Sequence, residues 1–320
     1  MSRFILLLCL LLPASAALAA GAADPARADA LLKARDPGAA AEVAALLKAR
    51  PDDPAVRVLQ VRLLIQQGKS EDAVDAAEEF ADDLPDSALA HLWLGNAYGN
   101  RIGQLGTFGQ GLMAPKLRRA FERAVELDPD QHEARSALVE FYLMAPGIIG
   151  GSVDNARAQA AELQRRDPPR GQYALGRIAQ QEERLEEAAR HYVAAYEGRP
   201  DNDMYRMTVG IVHQQAEAWD AAFAHFGAWT SEKPDASAAW YQLGRTAVVS
   251  GQRLDEGAAA FRRFLALPER PGQPEHKYGW WRLGQALAQA GDKAGAREAL
   301  QRALALDPGL DEAKEALKQL

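Results

Sequence analysis

Six histidines (His91, His132, His191, His213, His225 and His276) are the side chains best suited to hold a metal or move a proton in this sequence. A zinc site needs three or four donors converging at fixed spacing, and none of the six falls in an H-E-x-x-H pattern. His213 and His225 fall on different predicted helices. The one cysteine, Cys9, sits in a leucine-rich run near the start and cannot complete a ligand set. Solvated or packed imidazole is therefore the expectation, with no metal. Gly103, Gly106, Gly109 and Gly111 form G-Q-L-G-T-F-G-Q-G, which could suggest a phosphate cradle. It lacks the Lys-Ser/Thr ending of a P-loop and no strand precedes it, so no nucleotide cofactor is expected. No G-x-S-x-G nucleophile setting occurs. With no nucleophile, metal set or cofactor loop, the chain is expected to bind rather than to catalyse.

The elements that would present a binding surface show themselves as repeats. Pro51, Pro85, Pro129, Pro168, Pro200, Pro234, Pro268 and Pro308 are separated by 34, 44, 39, 32, 34, 34 and 40 residues. Gly176, Gly210, Gly244 and Gly284, each after an aliphatic residue, are 34, 34 and 40 apart. Two ladders with one period predict a helical repeat. A proline cannot continue the helix before it and turns the preceding residue away from helix, so each repeat has its stop signal. Small residues (the four glycines, Ala188, Ala222, Ala296) fall where paired helices must approach. Large ones (Tyr192, Phe226, Phe261, Leu300) fill the space on the second helix.

Trp240 to Gly244 (W-Y-Q-L-G) and Trp280 to Gly284 (W-W-R-L-G) resemble first helices of tetratricopeptide repeats. Phe121 to Pro129 (F-E-R-A-V-E-L-D-P) and Ala299 to Pro308 resemble second helices with their closing proline. The resemblance covers nearly all of the chain after its first segment. It implies an all-α, right-handed superhelical solenoid of helix-turn-helix repeats. Repeats are placed at 54–87, 88–131, 132–168, 169–202, 203–236, 237–276 and 277–310, behind a half-repeat at 20–53. Residues 311–320 are expected to form a polar capping helix, with Asp311 and Glu312 at its start and Lys318 near its end, as the helix dipole prefers.

First helices line the concave face in this family. Its groove-facing places are Asn96, Glu140, Tyr173, Arg177, Met204, Met207, Tyr241, Arg245, Tyr278 and Trp281. Tyrosine, tryptophan and arginine dominate binding hot spots, and methionine suits adaptable contact. Expansions at 99–116 and 145–151 fall between first and second helices of adjacent repeats, hence on one rim; a third at 268–276 falls on the other. Insertions in solenoids often mark the binding face. The first two are unusually apolar (Ile102, Leu105, Phe108, Leu112, Met113, Ile148, Ile149) and are expected as loops that meet, with Phe108 near Ile148 or Ile149, as a plug or a lid. The A-P-G-I-x-G-G phrase within the second is similar to one in other bacterial exported repeat proteins.

Lys and Arg number 37 against 44 Asp and Glu, a formal charge of -7, which gives no reason to expect nucleic acid or an anionic membrane as partner. Residues 1–19 have the form of a cleavable signal peptide. Arg3 supplies the n-region, Phe4 to Leu12 the apolar run, and Ala17-Leu18-Ala19 the A-x-A site. The run is too short to span a bilayer, and Cys9 lies within it rather than after it, which argues against lipidation. A periplasmic protein starting near Ala20, with no transmembrane segment, disulfide or cofactor, is expected. Its function would be that of a scaffold or adaptor binding a peptide or helix of an envelope protein. The alternative is a small-molecule or lipid carrier with the two rim segments as its lid.

Overall fold

The computed structural model describes residues 23–320, so the signal-peptide segment lies outside the described residues. The described residues divide into two compact units, with the boundary between residues 76 and 77. In the first, α1 (Pro25–Ala34), α2 (Ala39–Ala49) and α3 (Pro54–Gln66) bury Ala28, Leu32, Val43, Leu46, Val56 and Leu59 together. Two of these helices begin with the same device. Asp24 and Asp53 cap them, each carboxylate accepting from the backbone N–H two residues on, and the following proline occupies the first turn. There its missing N–H costs nothing. Next along the chain is α4 (Ser70–Asp83).

The second unit is a run of helix pairs. These are α5 (Ala88–Ile102) with α6 (Thr107–Leu127), α7 (His132–Met144) with α8 (Val153–Arg166), and α9 (Pro168–Gln181) with α10 (Leu185–Gly198). They continue with α11 (Asp203–Gln215) and α12 (Trp219–Glu232), α13 (Ser237–Ser250) and α14 (Leu254–Leu265), α15 (His276–Gln289) and α16 (Lys293–Leu306), and end on α17 (Asp311–Lys318). Among the described residues no strand is formed.

Within five of these six pairs the contact is a glycine on the first helix against a large ring or leucine on the second, α7 having no glycine. A Cβ at Gly95, Gly176, Gly210 or Gly244 would lie 2.4, 2.6, 2.1 or 2.7 Å from the side chains of Phe121, Tyr192, Phe226 or Phe261; at Gly284 it would lie 2.7 Å from Leu300. Only hydrogen fits there, so the glycine ladder is a packing requirement. Successive pairs are tied by a second recurring contact, from a first-helix side chain to the carbonyl of the proline six residues before it. His91 Nε2 lies 2.8 Å from the oxygen of Pro85, Arg135 Nε donates to Pro129 at 3.0 Å, and Trp240 Nε1 donates to Pro234 at 3.0 Å. Each bond satisfies a carbonyl that the turn leaves without a helical partner.

First helices also pack on one another, α5 on α7, α7 on α9, α11 on α13 and α13 on α15, whereas among the described residues the second helices from α6 to α16 do not approach one another to the same extent. Elements crowded on one side and spread on the other make the first-helix side the inner face of the stack. At the C-terminal end Leu300, Ala303, Leu310 and Ala313 are buried together, with Tyr278, Trp280 and Trp281 packed against them.

The segment 99–116, expected as a rim loop, is mostly helix: α5 runs to Ile102, and α6, 21 residues long, takes up the rest with Pro115 inside it. The glycines do not stop it because α6 is fixed further along by burial of Ala114, Leu117, Ala120 and Phe121. Its first turn is held by Gln110, whose Nε2 donates to the Leu105 carbonyl at 2.9 Å. Residues 147–149 form a short 3-10 turn. The stretch 268–275 does stay a loop, docked by an Arg270–Asp235 ion pair at 3.2 Å and by a hydrogen bond between Ser237 and Gln273.

Candidate binding face and cavities

The residues expected in the groove separate into two groups. Tyr241 packs edge-on against Phe261 and Phe264, ring centroids 5.8 and 5.3 Å away. Tyr173 stacks on Tyr205 at 5.0 Å. Met207 lies against the cluster of Phe223, Phe226 and Leu243, and Tyr278 and Trp281 against the C-terminal cluster. These five cover the core in large part. Asn96 is half-buried on α5, and Met204 is 54% exposed at the start of α11.

The two arginines differ. Arg177 grips Glu140 of the neighbouring first helix bidentately, with Nε–Oε1 and Nη2–Oε2 both 2.7 Å, and its Nη1 donates to Gln180 at 3.0 Å. That carboxylate raises the arginine's already high pKa further, against the opposing effect of burial. Arg245 has no such partner. Its Nη1 donates to Gln214 and, at 3.3 Å, to Gln242, and its pKa is pushed down by burial and then by the charge of Arg282. Arg282, on the next first helix, donates to Gln285 at 2.9 Å and lies over the Trp281 ring at 4.1 Å, while its buried Nε has no hydrogen-bond partner. Among the described residues neither Arg245 nor Arg282 has a carboxylate within ion-pair distance. Arg282 was not among the expected site residues, although its place two residues before Gly284, beside a tryptophan, is a signal the sequence carried.

Two cavities open at this face. One of about 460 Å³, the more polar of the two, lies between α7 and α9, with Ser136, Glu140, Arg170, Tyr173 and Arg177 in its wall beside Ala137, Val139 and Ala174. The other, about 600 Å³, lies between α5, α6, α7 and the 3-10 turn. Its wall is apolar (Ile102, Leu117, Phe121, Phe141, Met144, Ile149 and others), and Glu140 and Gln110 are the only polar side chains in it. Around it stand large apolar side chains in solvent: Phe108 is 82% exposed, Leu112 63%, Met144 76% and Ile148 95%. Of the expected contact of Phe108 with Ile148 or Ile149, the part with Ile148 is not mutual burial, since both side chains stand in solvent. The two segments meet instead through the cavity wall, where Ile149 turns inward and Gly103 and Gln110 supply the other side. A 3-10 turn has three residues per revolution, so consecutive isoleucines cannot share one direction.

Among the described residues no group of three His, Asp or Glu is placed to hold a metal, and no helix is long and apolar enough to cross a membrane.

The family model described as tetratricopeptide repeat matches residues 58–99 and 241–311. No curated protein matches the chain. Among solved structures, the Cut9–Hcn1 hetero-tetramer of the APC/C is 18% identical, with a TM-score of 0.52 over 92% of this chain and 54% of that one. A tetratricopeptide repeat protein from Parabacteroides merdae is 14% identical, with a TM-score of 0.51 over 82% of this chain and 96% of the other. A thermophilic TPR protein of Thermus thermophilus is 18% identical, with a TM-score of 0.51 over 59% and 94%. At these identities the likeness is one of fold.

Proposed function

We propose that this chain, a tetratricopeptide-repeat protein, is an exported scaffold whose first-helix face binds a peptide segment or helix of another envelope protein. The repeat fold is that of a protein-interaction scaffold, in which stacked helix pairs offer one extended surface. The observation that carries the finer reading is Arg245 with Arg282. Two half-buried guanidiniums on successive first helices are held by glutamines and lack a carboxylate. A guanidinium has five N–H donors and no acceptor, and burial strips it of water that would otherwise serve them. A carbonyl or carboxylate of a bound segment supplies what is missing. Arg177 is less available, because a ligand would have to displace Glu140.

The apolar cavity is open at its rim and gives less support to a second reading, a carrier of small apolar molecules, than a closed one would. Export rests on the sequence of residues 1–19. N-terminal sequencing of the fractionated protein should find a start at Ala20, and full-length chain in the cytoplasm would overturn that part. For the binding face, a partner recovered from envelope extract by the mature protein is identified by mass spectrometry and titrated calorimetrically against wild type and Arg245→Gln. Loss of a desolvated charged hydrogen bond should weaken binding by about 2–5 kcal/mol. Unchanged affinity with intact helical circular dichroism would remove this face as the site.

A further inference from the structure

We infer that the apolar cavity between α5, α6, α7 and the 3-10 turn is the anchor pocket of the same binding face, taking one or two large apolar side chains of the bound segment. The inference rests on the groove reading above and adds to it the chemistry of the partner: leucine, methionine, phenylalanine or tryptophan at the position that crosses α7.

Continuity with the groove is the first observation. Ala137 and Glu140 of α7 line both cavities, so a segment lying across Glu140, Tyr173 and Arg177 passes the mouth of the apolar one. The polar inventory says which part of that segment can enter. Both oxygens of Glu140 are engaged by Arg177, and the amide nitrogen of Gln110 is committed to the Leu105 carbonyl. A peptide backbone inside would find few partners for its N–H and C=O groups and almost none to donate to its carbonyls, at a cost of several kcal/mol for each left unpaired in an apolar setting. Hydrocarbon carries no such cost. Side chains therefore go in while the backbone stays over the polar cavity. The Arg177 guanidinium also neutralises Glu140, so the wall common to both cavities offers no bare charge to an apolar group.

The rim supports the same occupant. Ile148 stands 95% exposed on a turn closed by several backbone hydrogen bonds. Ile149 and Gly151 donate to the Pro146 carbonyl at 3.0 and 3.1 Å, and Ser152 donates to that of Tyr142 at 2.9 Å. Gly150 has a φ of 105°, and a Cβ at Gly151 would fall 1.7 Å from the Ala145 oxygen. Exposed apolar side chains gathered beside a concavity point to an interaction site; Met144 lines this one and Ile148 directly precedes Ile149 in its wall, and its size is that which holds bound groups, about 300–1,000 Å³. Hot spots of protein recognition take this form, a large side chain in a pocket ringed by water-excluding contacts.

The test uses a filled pocket. Gly99 of α5 lines the cavity, and a Cβ there meets only Leu117, at an ordinary 3.5 Å. Gly99→Leu therefore fills the space while improving helix propensity. A random dodecapeptide phage library is panned on the purified mature protein, and enriched peptides are titrated against wild type, Gly99→Leu, Ile148→Ser and Arg245→Gln. The enriched peptides should share a large apolar residue. Gly99→Leu should weaken them about ten- to hundredfold, the worth of burying one such side chain. Alanine at that peptide residue should do the same, with no further loss when both changes are combined. Ile148→Ser, at a position too exposed to affect folding, should weaken them as well and decides the matter if Gly99→Leu does not fold.

Unchanged affinity in Gly99→Leu and Ile148→Ser, with a loss in Arg245→Gln, would overturn the anchor and leave the groove. Binding of palmitate that Gly99→Leu abolishes, with peptides unaffected, would make the cavity a lipid site and also overturn it. No enriched peptide, or full affinity in all three variants, would overturn the groove reading and the anchor with it.

Discussion

At the residue scale, the repeat depends on atoms that are missing. Gly210 faces Phe226 so closely that a methyl group would sit 2.1 Å from the ring tip, and the ring is itself fully buried. Gly210→Ala should lower stability by about 1–3 kcal/mol through overpacking, seen as an earlier urea midpoint. Gly99→Ala, with room for its methyl, should be neutral or stabilising by up to about 1 kcal/mol. Two histidines set a pH dependence. Burial lowers the pKa of His213, and in His225 burial outweighs the bond its Nε2 makes to the Arg206 carbonyl at 2.7 Å, with the charges of Arg206 and His213 adding to the drop. Unfolded histidine titrates near 6.5, so below that pH the unfolded chain binds protons that the folded one refuses. Their stabilising contribution is full above about pH 6.5 and is lost as pH falls through the lower folded values. The urea midpoint should drop between pH 7.5 and 5.5, and a His213→Gln/His225→Gln variant should show a flatter profile. The glycine ladder and its large partners could be read from spacing alone. The fates of Arg177 and Arg245, same place in two repeats, could not. Whether an arginine finds a glutamate depends on what stands one helix away, here Glu140 for the first and Gln214 for the second.

At the scale of elements, stop and start signals were legible wherever chemistry is local. Asp-Pro at 53–54 and 167–168 opens a helix, and the D-P and D-x-P phrases close the preceding ones. The segment 99–116 was not legible for the converse reason. Its glycines and Pro115 read as a loop, yet the decision lies with Ala114, Leu117 and Phe121, whose burial carries the helix back through them. Pro115 deprives only Gly111 of its partner, and that residue is partly exposed, so water can serve its carbonyl. α17 has a sharper role than its length suggests, since it covers Leu300, Ala303 and the rings of Trp280 and Trp281. Truncation after Leu310 should lower the thermal midpoint by about 5–10 °C. It should also shift tryptophan emission to the red and cause concentration-dependent aggregation, as an uncapped repeat end exposes its core face.

For the molecule as a whole, the interest lies in how its polar and apolar ligand-facing features are distributed along one inner face. Glu140 and Arg177 neutralise each other beside the apolar cavity, and the arginines without acids come further along, on α13 and α15. On the proposed reading, a partner that satisfies both would be long and lie in one direction, because reversing it would bring its apolar residues against guanidiniums. Such polarity is a property of the assembled face and is invisible in any single repeat. The rigid turn at Gly150 and Gly151 then bears on time as well as on affinity. On the proposed anchor, a partner would meet Ile148 already in place, with little rearrangement to wait for. Capture is left to diffusion and orientation, and discrimination between right and wrong partners falls to how quickly each one leaves.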